Sequence, residues 1–359
     1  MIVQSINLKN YRNIRDINID LNSGTNIIYG DNAQGKTNLL ESIYLCATGR
    51  SHRTSHDSEL IAFDESNAFI KLTVVDDLER TDTINIHLKK GSKKGIAING
   101  LTLKKTGDLL GVLNVVMFSP EDLQLIKNGP GQRRRFMDME LCQISRVYYY
   151  NLNQYHKILK QRNNLLKNIK GQEGTLDIWD IQLAEFGKKL IKARKNFILE
   201  LSEIAGSIHG SITEGRESLT LKYNPSVEIE NFEEKLKKNR ERDIYYGTTT
   251  IGPHKDDILF FINGVNVRDY GSQGQQRTAC LAVKMAEIDL IKQHKNVNPV
   301  LLLDDVLSEL DKTRQNYLIN SIRDVQTVIT CPVLDKALMT MGEKSKIFNV
   351  FQGKVLAKN

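Results

Sequence analysis

The chain opens on a two-residue alternation of apolar and polar positions. Ile6 and Leu8, then Ile17, Ile19 and Leu21, flank a turn at 10–13, and 69–75, 84–88 and 96–103 repeat the pattern, so each predicts a strand. The run 112–118 reads as a buried strand and ends at Ser119-Pro120-Glu121-Asp122, where a capping serine and a proline at the first helical position predict a helix start. The period then lengthens to three or four. Phe136, Ile144, Tyr148, Tyr155 and Leu159 predict one long helix over 133–170; Gly171 and Gly174 break it; Trp179, Leu183, Phe186, Leu190 and Phe197 start a second. Two long helices joined by a short loop predict an antiparallel hairpin, with the charged stretch 233–243 leading back. After Gly247 strand signals resume. Segments 258–262 and 265–267 flank Asn263-Gly264, a two-residue hairpin turn; 278–292 reads as a helix, and 300–303 and 326–329 as short strands. The pattern predicts an α/β fold, a mixed sheet plus an antiparallel β part, with a mainly helical lobe inserted at 127–245 between halves at 1–126 and 246–359.

Chemistry enters between the strand expected at 25–29 and the helix expected at 38–48. Gly30-Asp31-Asn32-Ala33-Gln34-Gly35-Lys36-Thr37 fits the phosphate-cradling pattern G-x-x-x-x-G-K-[ST]. A polyphosphate needs several backbone N–H donors at once, which a glycine-rich turn feeding a helix N-terminus supplies. Lys36 is then placed for the β- and γ-phosphates and Thr37 for Mg²⁺. An ordinary glycine turn is the alternative, and the flanking strand and helix favour the phosphate loop. Pro299 to Leu303 is an apolar strand closed by Asp304 and Asp305. Beside a phosphate loop, this pattern assigns Asp304 to Mg²⁺ and Asp305 to polarising the attacking water. Gly271-Ser272-Gln273-Gly274-Gln275-Gln276 opens another helix, with hydroxyl, bare N–H groups and the positive dipole end offered to an anion. These residues imply ATP and Mg²⁺ as ligands.

Composition narrows the class. The 359 residues include no run of 18 apolar positions, and Met1-Ile2-Val3-Gln4-Ser5 opens as a strand, so a soluble, cytoplasmic protein without a membrane partner is expected. Four separated cysteines predict buried free thiols. Formal charge is +7, and 127–200 holds 15 Lys+Arg against 7 Asp+Glu while the rest nearly balances. A basic segment on a balanced protein suggests a polyanionic partner, or else a solvated helix face. The tyrosines 148–150 and Trp179 fit hairpin packing better than base stacking. His254, beside Asp256 and Asp257, fits a turn-stabilising residue better than a metal ligand.

The order of motifs resembles the ABC-type ATPase heads of the SMC branch: phosphate loop, Ser272-Gln273-Gly274-Gln275, the Leu301 to Asp305 strand end, then Ser308-Glu309-Leu310-Asp311. Within that branch the chain is similar to the RecF family of bacterial DNA repair proteins, on Gly252-Pro253-His254-Lys255-Asp256-Asp257, Ser119-Pro120-Glu121-Asp122-Leu123, Arg133-Arg134 and the opening Leu8-Lys9-Asn10-Tyr11-Arg12-Asn13. The resemblance covers the whole chain. It implies an ATP-dependent homodimer in which Ser272, Gly274 and Gln275 of one copy close over the nucleotide held at Gly30 to Thr37 of the other. Asp311 would run along the seam. It also implies DNA binding, RecR and RecO as pathway partners, recombinase loading at gaps, a part in the SOS response and a weak, DNA-stimulated ATPase with Lys36 and Asp305 as catalytic residues. Two departures from the wider pattern, Asp305 where many heads carry glutamate and Thr330-Cys331 where transporters carry histidine, predict slow turnover. No counterpart of the Mg²⁺-sensing glutamine stands out. Arg50 and Arg53 read either as phosphate or adenine contacts or as solvated loop residues.

Candidate DNA contacts in the basic insert are Arg133, Arg134, Arg135, Lys157, Lys160, Lys188, Lys189, Lys192, Arg194 and Lys195. Without a base-reading motif, contact would be to phosphates and independent of sequence. Arg133 and Arg134 also suit a structural role where the lobes join. A transporter's ATP subunit conflicts with the long insert and its basic surplus. An SMC-type structural ATPase conflicts with a hairpin that extends only about 45–57 Å at 1.5 Å per residue. A small-molecule kinase has no use for the Ser272 motif.

Overall fold

A computed structural model describes residues 1–169, 171, 173–322, 324–334, 338 and 345–358. The chain divides into two compact units, Met1–Leu123 with Glu287–Asn359, and Gln124–Ala286.

The first unit begins with β1 (Ile2–Tyr11) and β2 (Ile14–Asp20), an antiparallel pair joined by a turn in which Asn10 and Arg12 take positive φ. β3 (Thr25–Tyr29) feeds α1 (Lys36–Thr48), which stops at Gly49 in the left-handed region as the sequence predicts. β4 (Asn67–Val75), β5 (Thr81–Lys89), β6 (Gly95–Ile98) and β7 (Leu101–Thr102) follow, then β8 (Val115–Phe118). The single strand expected over 96–103 is instead a hairpin, because Asn99 and Gly100 both adopt positive φ and reverse the chain. A helix does start at Pro120, in 3-10 form, Pro120–Gln124; the Ser119 N–H and Oγ donate to the Asp122 carboxylate at 2.8 and 2.9 Å across its first turn.

The second unit holds α2 (Pro130–Ile144), α3 (Arg146–Lys167), α4 (Leu176–Ile212), β9 (Leu219–Asn224), α5 (Phe232–Lys238), α6 (Arg240–Tyr246), β10 (Asp257–Ile262), β11 (Val265–Asn266), α7 (Val267–Tyr270) and the start of α8 (Gln273–Lys295). The helix expected over 133–170 is two. Ser145 is extended; its N–H closes α2 on the Leu141 carbonyl, and its Oγ accepts from the Tyr148 N–H at 3.1 Å to cap α3. The apolar stripe runs on across this break, so periodicity alone could not reveal it. Residue 170, the expected helix end, and residue 172 of the expected interhelical loop lie outside the described residues. α3 packs on α4 as the hairpin reading requires. The expected boundary at 245 needs correction: β10 pairs antiparallel with β9 and packs on α2, so 246–286, with the Ser272 motif, belongs to the helical unit.

The chain then returns to the first unit through β12 (Val300–Asp304), α9 (Lys312–Ser321), β13 (Thr327–Cys331), β14 (Lys346–Phe351) and β15 (Lys354–Lys358). β2-β1-β4-β5-β6-β7 form one antiparallel sheet; β15-β14-β3-β13-β12-β8 form another, parallel except for the β14–β15 hairpin. β12 is buried at every position, which explains its unbroken apolar run. α1 packs against strands of both sheets, and Leu39, Leu40 and Ile43 share one core with Ile6, Leu72, Ile28 and Leu302. Each such aliphatic side chain contributes roughly 1.5–3 kcal/mol. This core fixes the start of α1 beside the carboxyl ends of β3, β13 and β12, the edge where parallel α/β sheets bind ligands.

Candidate functional site

The loop from β3 to α1 has the backbone that a phosphate cradle requires. Gly30, Ala33 and Gly35 take φ of 152°, 63° and 116°. A Cβ on Gly30 would lie 2.3 Å from the Val350 carbonyl oxygen and one on Gly35 2.7 Å from Asn13 Oδ1, so both glycines are sterically compelled. Lys36 is buried, and its Nζ donates to the carbonyls of Gly30 (2.7 Å) and Asp31 (3.0 Å). Thr37 Oγ1 donates to Asp304 Oδ1 at 2.9 Å, bringing together two residues that the sequence assigned to one cation. Arg12, Arg53, Lys36, Thr37 and Asp305 line a single cleft of about 870 Å³.

Asp305 follows β12 with φ 51°, in the left-handed region that costs a non-glycine residue roughly 1–2 kcal/mol. Its Oδ1 is buried without a hydrogen-bond partner. Burial raises its carboxyl above the usual carboxylate range, Lys36 opposes the rise, and Asp304 adds to it. A strained residue that buries an unsatisfied oxygen in a cleft beside a lysine is unfavourable for folding alone and suited to a ligand. Hydroxyl, carboxylate and orphaned oxygen form an all-oxygen donor set, which fits Mg²⁺ held by one or two carboxylates together with phosphate.

Several residues of the site carry no motif of their own. From sequence, Thr330 is notable only as a position where a transporter would carry histidine. It donates to Asp304 Oδ1 at 2.7 Å and accepts from the Asp305 N–H at 2.9 Å, tying both acids to the neighbouring strand. Glu41, one turn beyond Thr37 on α1, is fully buried and accepts from Arg12 twice and from Ser51. Burial pushes its carboxyl up, but the Arg12 and Ser51 hydrogen bonds outweigh that and hold it below the usual range. Asn13 donates to the Gln34 carbonyl and accepts from Asn38, which accepts from Arg53 at 3.0 Å. Arg53 thus reaches the cleft; Arg50 is exposed and is not among the residues lining it. The spacing of Glu41 from Thr37, i to i+4 on one helix, was the available signal.

Ser272, Gly274 and Gln275 lie in the second unit. Ser272 N–H donates to Gln275 Oε1 (2.9 Å) while Ser272 Oγ accepts from the Gln275 N–H (3.2 Å), a reciprocal capping box that opens α8. Gln275 Nε2 also donates to Glu217 at 2.9 Å, and Ser272 is exposed. Asp311 caps α9 by accepting from the Arg314 N–H at 3.0 Å.

The basic insert is less available to a polyanion than its composition suggests. Arg133 is 1% exposed, bidentate to Asp257 (2.5 and 3.0 Å), and donates to the carbonyls of Leu125, Ile126 and Asn128. Arg194 is 2% exposed and engages Asp138, Asp256 and the Pro253 carbonyl. Neither belongs in the DNA set. Arg134 is half-buried and donates to the Asp256 carbonyl at 2.8 Å. Arg135, Lys157, Lys160, Lys189, Lys192 and Lys195 are exposed and Lys188 is half-buried; Lys189 bridges to Glu185 and lies over the Phe186 ring. Tyr148 is core, as expected, while Tyr150 is exposed with its ring edge-on to Phe186. His254 accepts from the Tyr155 hydroxyl and donates to the Thr249 carbonyl, which makes it the turn-stabilising residue expected. Among the described residues no group of three or more His, Cys, Asp or Glu could hold a metal, and no helix is long and apolar enough to cross a membrane. All four cysteines are buried.

Residues 2–355 match the family described as RecF/RecN/SMC N terminal domain. The chain is 52% identical over 358 residues to the DNA replication and repair protein RecF of Agathobacter rectalis, spanning 99% of both, and 51% identical to that of Lachnospira eligens, spanning 100% of both. Among solved structures it is similar to a recombination mediator protein RecF bound to ATP in the RecFOR pathway, with TM-score 0.93, 37% identity and coverage of 99% of this chain and 97% of that one. An Smc head bound to the C-winged helix domain of ScpA shares the fold at 16% identity, TM-score 0.60, over 100% of this chain and 98% of that one.

Proposed function

Starting from the fact that the chain belongs to the RecF branch of the RecF/RecN/SMC N-terminal domain family, we propose that it is an ATP-dependent switch acting on DNA in replication and repair. The observation that carries this reading is the buried, unpartnered Asp305 oxygen in the same cleft as Lys36 and Thr37. Lys36, resting on two loop carbonyls, has only to exchange them for phosphate oxygens as the loop N–H groups take up the polyphosphate. Thr37 and Asp304 would hold Mg²⁺, which when bound neutralises phosphate charge. Asp305 orients the attacking water and accepts its proton at a carboxylate oxygen, a role helped by its raised affinity for protons. Thr330 keeps both acids in register. A carboxylate one methylene shorter than glutamate supports slow hydrolysis, with any DNA stimulation acting on this step.

Ser272, Gly274 and Gln275 of one protomer would close over the phosphate held at Lys36 of a second copy, giving two equivalent sites in one isologous interface. Binding of ATP joins the pair and hydrolysis releases it. The ordered capping box supports this role, because the Ser272 oxygen accepts within its own helix while its hydroxyl hydrogen stays available to donate. On DNA the remaining exposed lysines and Arg135 would contact phosphates irrespective of sequence. The dimer would assist recombinase loading at gaps with RecR and RecO and take part in the SOS response. Sedimentation with and without ATP tests the reading. Wild type is expected to dimerise only with ATP, Lys36→Met to bind no nucleotide, and Ser272→Arg to bind ATP and stay monomeric. A Ser272→Arg protein that still dimerises with ATP removes the composite site.

A further inference from the structure

Glu41 presents an arrangement that neither the motifs nor the family assignment accounts for. It sits on α1, one turn beyond the residue placed for Mg²⁺, and its carboxylate is 0% exposed. Arg12 reaches it from the β1–β2 turn with Nε at 2.9 Å and Nη2 at 2.8 Å, a fork on a fork. Ser51, beyond the end of α1, donates to the same carboxylate at 2.6 Å, and its Oγ accepts from the N–H groups of Arg53 and Thr54 at 3.0 and 3.1 Å. One buried anion therefore fastens two separate segments, each carrying an arginine that lines the cleft. Arg12 does not hold this position by backbone preference, since its φ of 55° is disfavoured. Its Nη1 also donates to the Glu59 carbonyl. Of the five guanidinium N–H groups, three are thus spent on fixing the plane, and two are left without a partner among the described residues.

We infer that Glu41 is a positioning residue for nucleotide binding: it pre-organises Arg12, and through Ser51 the Arg53 segment, as donors to the phosphate oxygens of the ligand in the cleft. Long side chains lose rotamer freedom when they clamp a ligand, and a buried carboxylate that fixes the guanidinium beforehand removes that cost from binding. Two arginines sharing one carboxylate also leave surplus positive charge facing a polyanion. The assignment rests on the cleft being a nucleotide site.

The test is equilibrium binding of ATP and of inorganic tripolyphosphate to the full chain, together with steady-state hydrolysis. Glu41→Gln keeps the shape and removes the charge; it should raise Kd for both ligands about tenfold, the worth of one charge-assisted hydrogen bond, with the loss falling on KM more than on kcat. Arg12→Ala should cost as much, and the double variant little more than either single one, because both break the same unit. Equal ATP affinity in wild type and Glu41→Gln, with only the melting temperature lowered, would overturn the inference, as would costs that simply add. A loss confined to ATP and absent for tripolyphosphate would overturn the phosphate assignment. Should Glu41→Gln not fold, Arg12→Lys carries the test, since it retains charge but not the fork and should bind like Arg12→Ala. If wild type itself binds neither ligand, the nucleotide reading falls first; if it binds both and Glu41→Gln matches it, only this inference falls.

Discussion

In the cleft, Arg12 and Arg53 are partly exposed and share one buried carboxylate, Glu41; in the helical lobe, Arg133, Arg162 and Arg194 are fully buried and divide Asp138, Asp180, Asp243, Asp256 and Asp257 among them. The residue type is the same and the stoichiometry is opposite. Two cations to one anion leave charge for an incoming ligand. Three cations among five anions, one of which also receives Arg240, leave none. Arg162 makes the point most fully, with Nε on Asp180 and Nη1 on Asp243, both at 2.7 Å, and no exposed surface. Local charge density along a sequence therefore overstates a polyanion-binding surface wherever the arginines turn inward, because burying an unpaired guanidinium is prohibitive and each one recruits acids to itself.

The largest expected effect follows from that contrast. Arg162→Ala leaves Asp243 buried without its cation and Asp180 with Arg240 alone, and should destabilise the helical unit by about 3–5 kcal/mol, read by hydrogen exchange, with ATP affinity within about twofold of wild type. A matching loss of ATP affinity would break the distinction between the two sets. Next comes acidity. Burial lowers the His254 imidazole to about 4, so below the ordinary value of 6.5 the unfolded chain takes up a proton that the folded one refuses. Stability from this group is complete above pH 6.5 and is lost as pH falls towards 4; the loss at pH 5 is about 2 kcal/mol. Denaturant titrations of the helical unit at pH 7 and pH 5 measure it, and His254→Gln should flatten the slope. The smallest effect concerns the surface. Reversing charge at Lys188, Lys189 and Lys192 should weaken DNA binding at low salt about tenfold and reduce its salt dependence, with folding unchanged. Unchanged affinity in that variant would remove this face from the DNA surface.

Much of the architecture could be read before any coordinates. Alternation located β1, β2, β4 and β5 because each buries one face, and the unbroken run at 300–303 located β12 because it buries two. Glycine placement and flanking elements located the phosphate loop. What escaped was whatever depends on one side chain choosing between two local partners. Ser145 splits a helix by capping its second half, and the helix that starts at Pro120 is a short 3-10 one. Strands β14 and β15, no shorter than β12, also escaped; they are joined by a turn at Gln352-Gly353 in which both residues take positive φ. In the site, the motif residues were legible; Glu41 and Thr330 were not, since a buried acid on a helix and a threonine in a strand acquire their meaning only from what the fold brings beside them.

Gly30 packs under the carbonyl of Val350, the Gln34 carbonyl and side chain accept from the N–H groups of Gly353 and Gln352, and a Cβ on Gly353 would strike the Asn13 carbonyl oxygen. The phosphate loop near the start of the chain is thus braced by a hairpin made more than three hundred residues later. At a synthesis rate of roughly 5–20 residues per second, the ribosome works for some tens of seconds between the two. A nascent chain carries the complete Gly30–Thr37 stretch throughout that interval yet lacks the brace that shapes it, so competence to hold nucleotide waits on the synthesis of that hairpin.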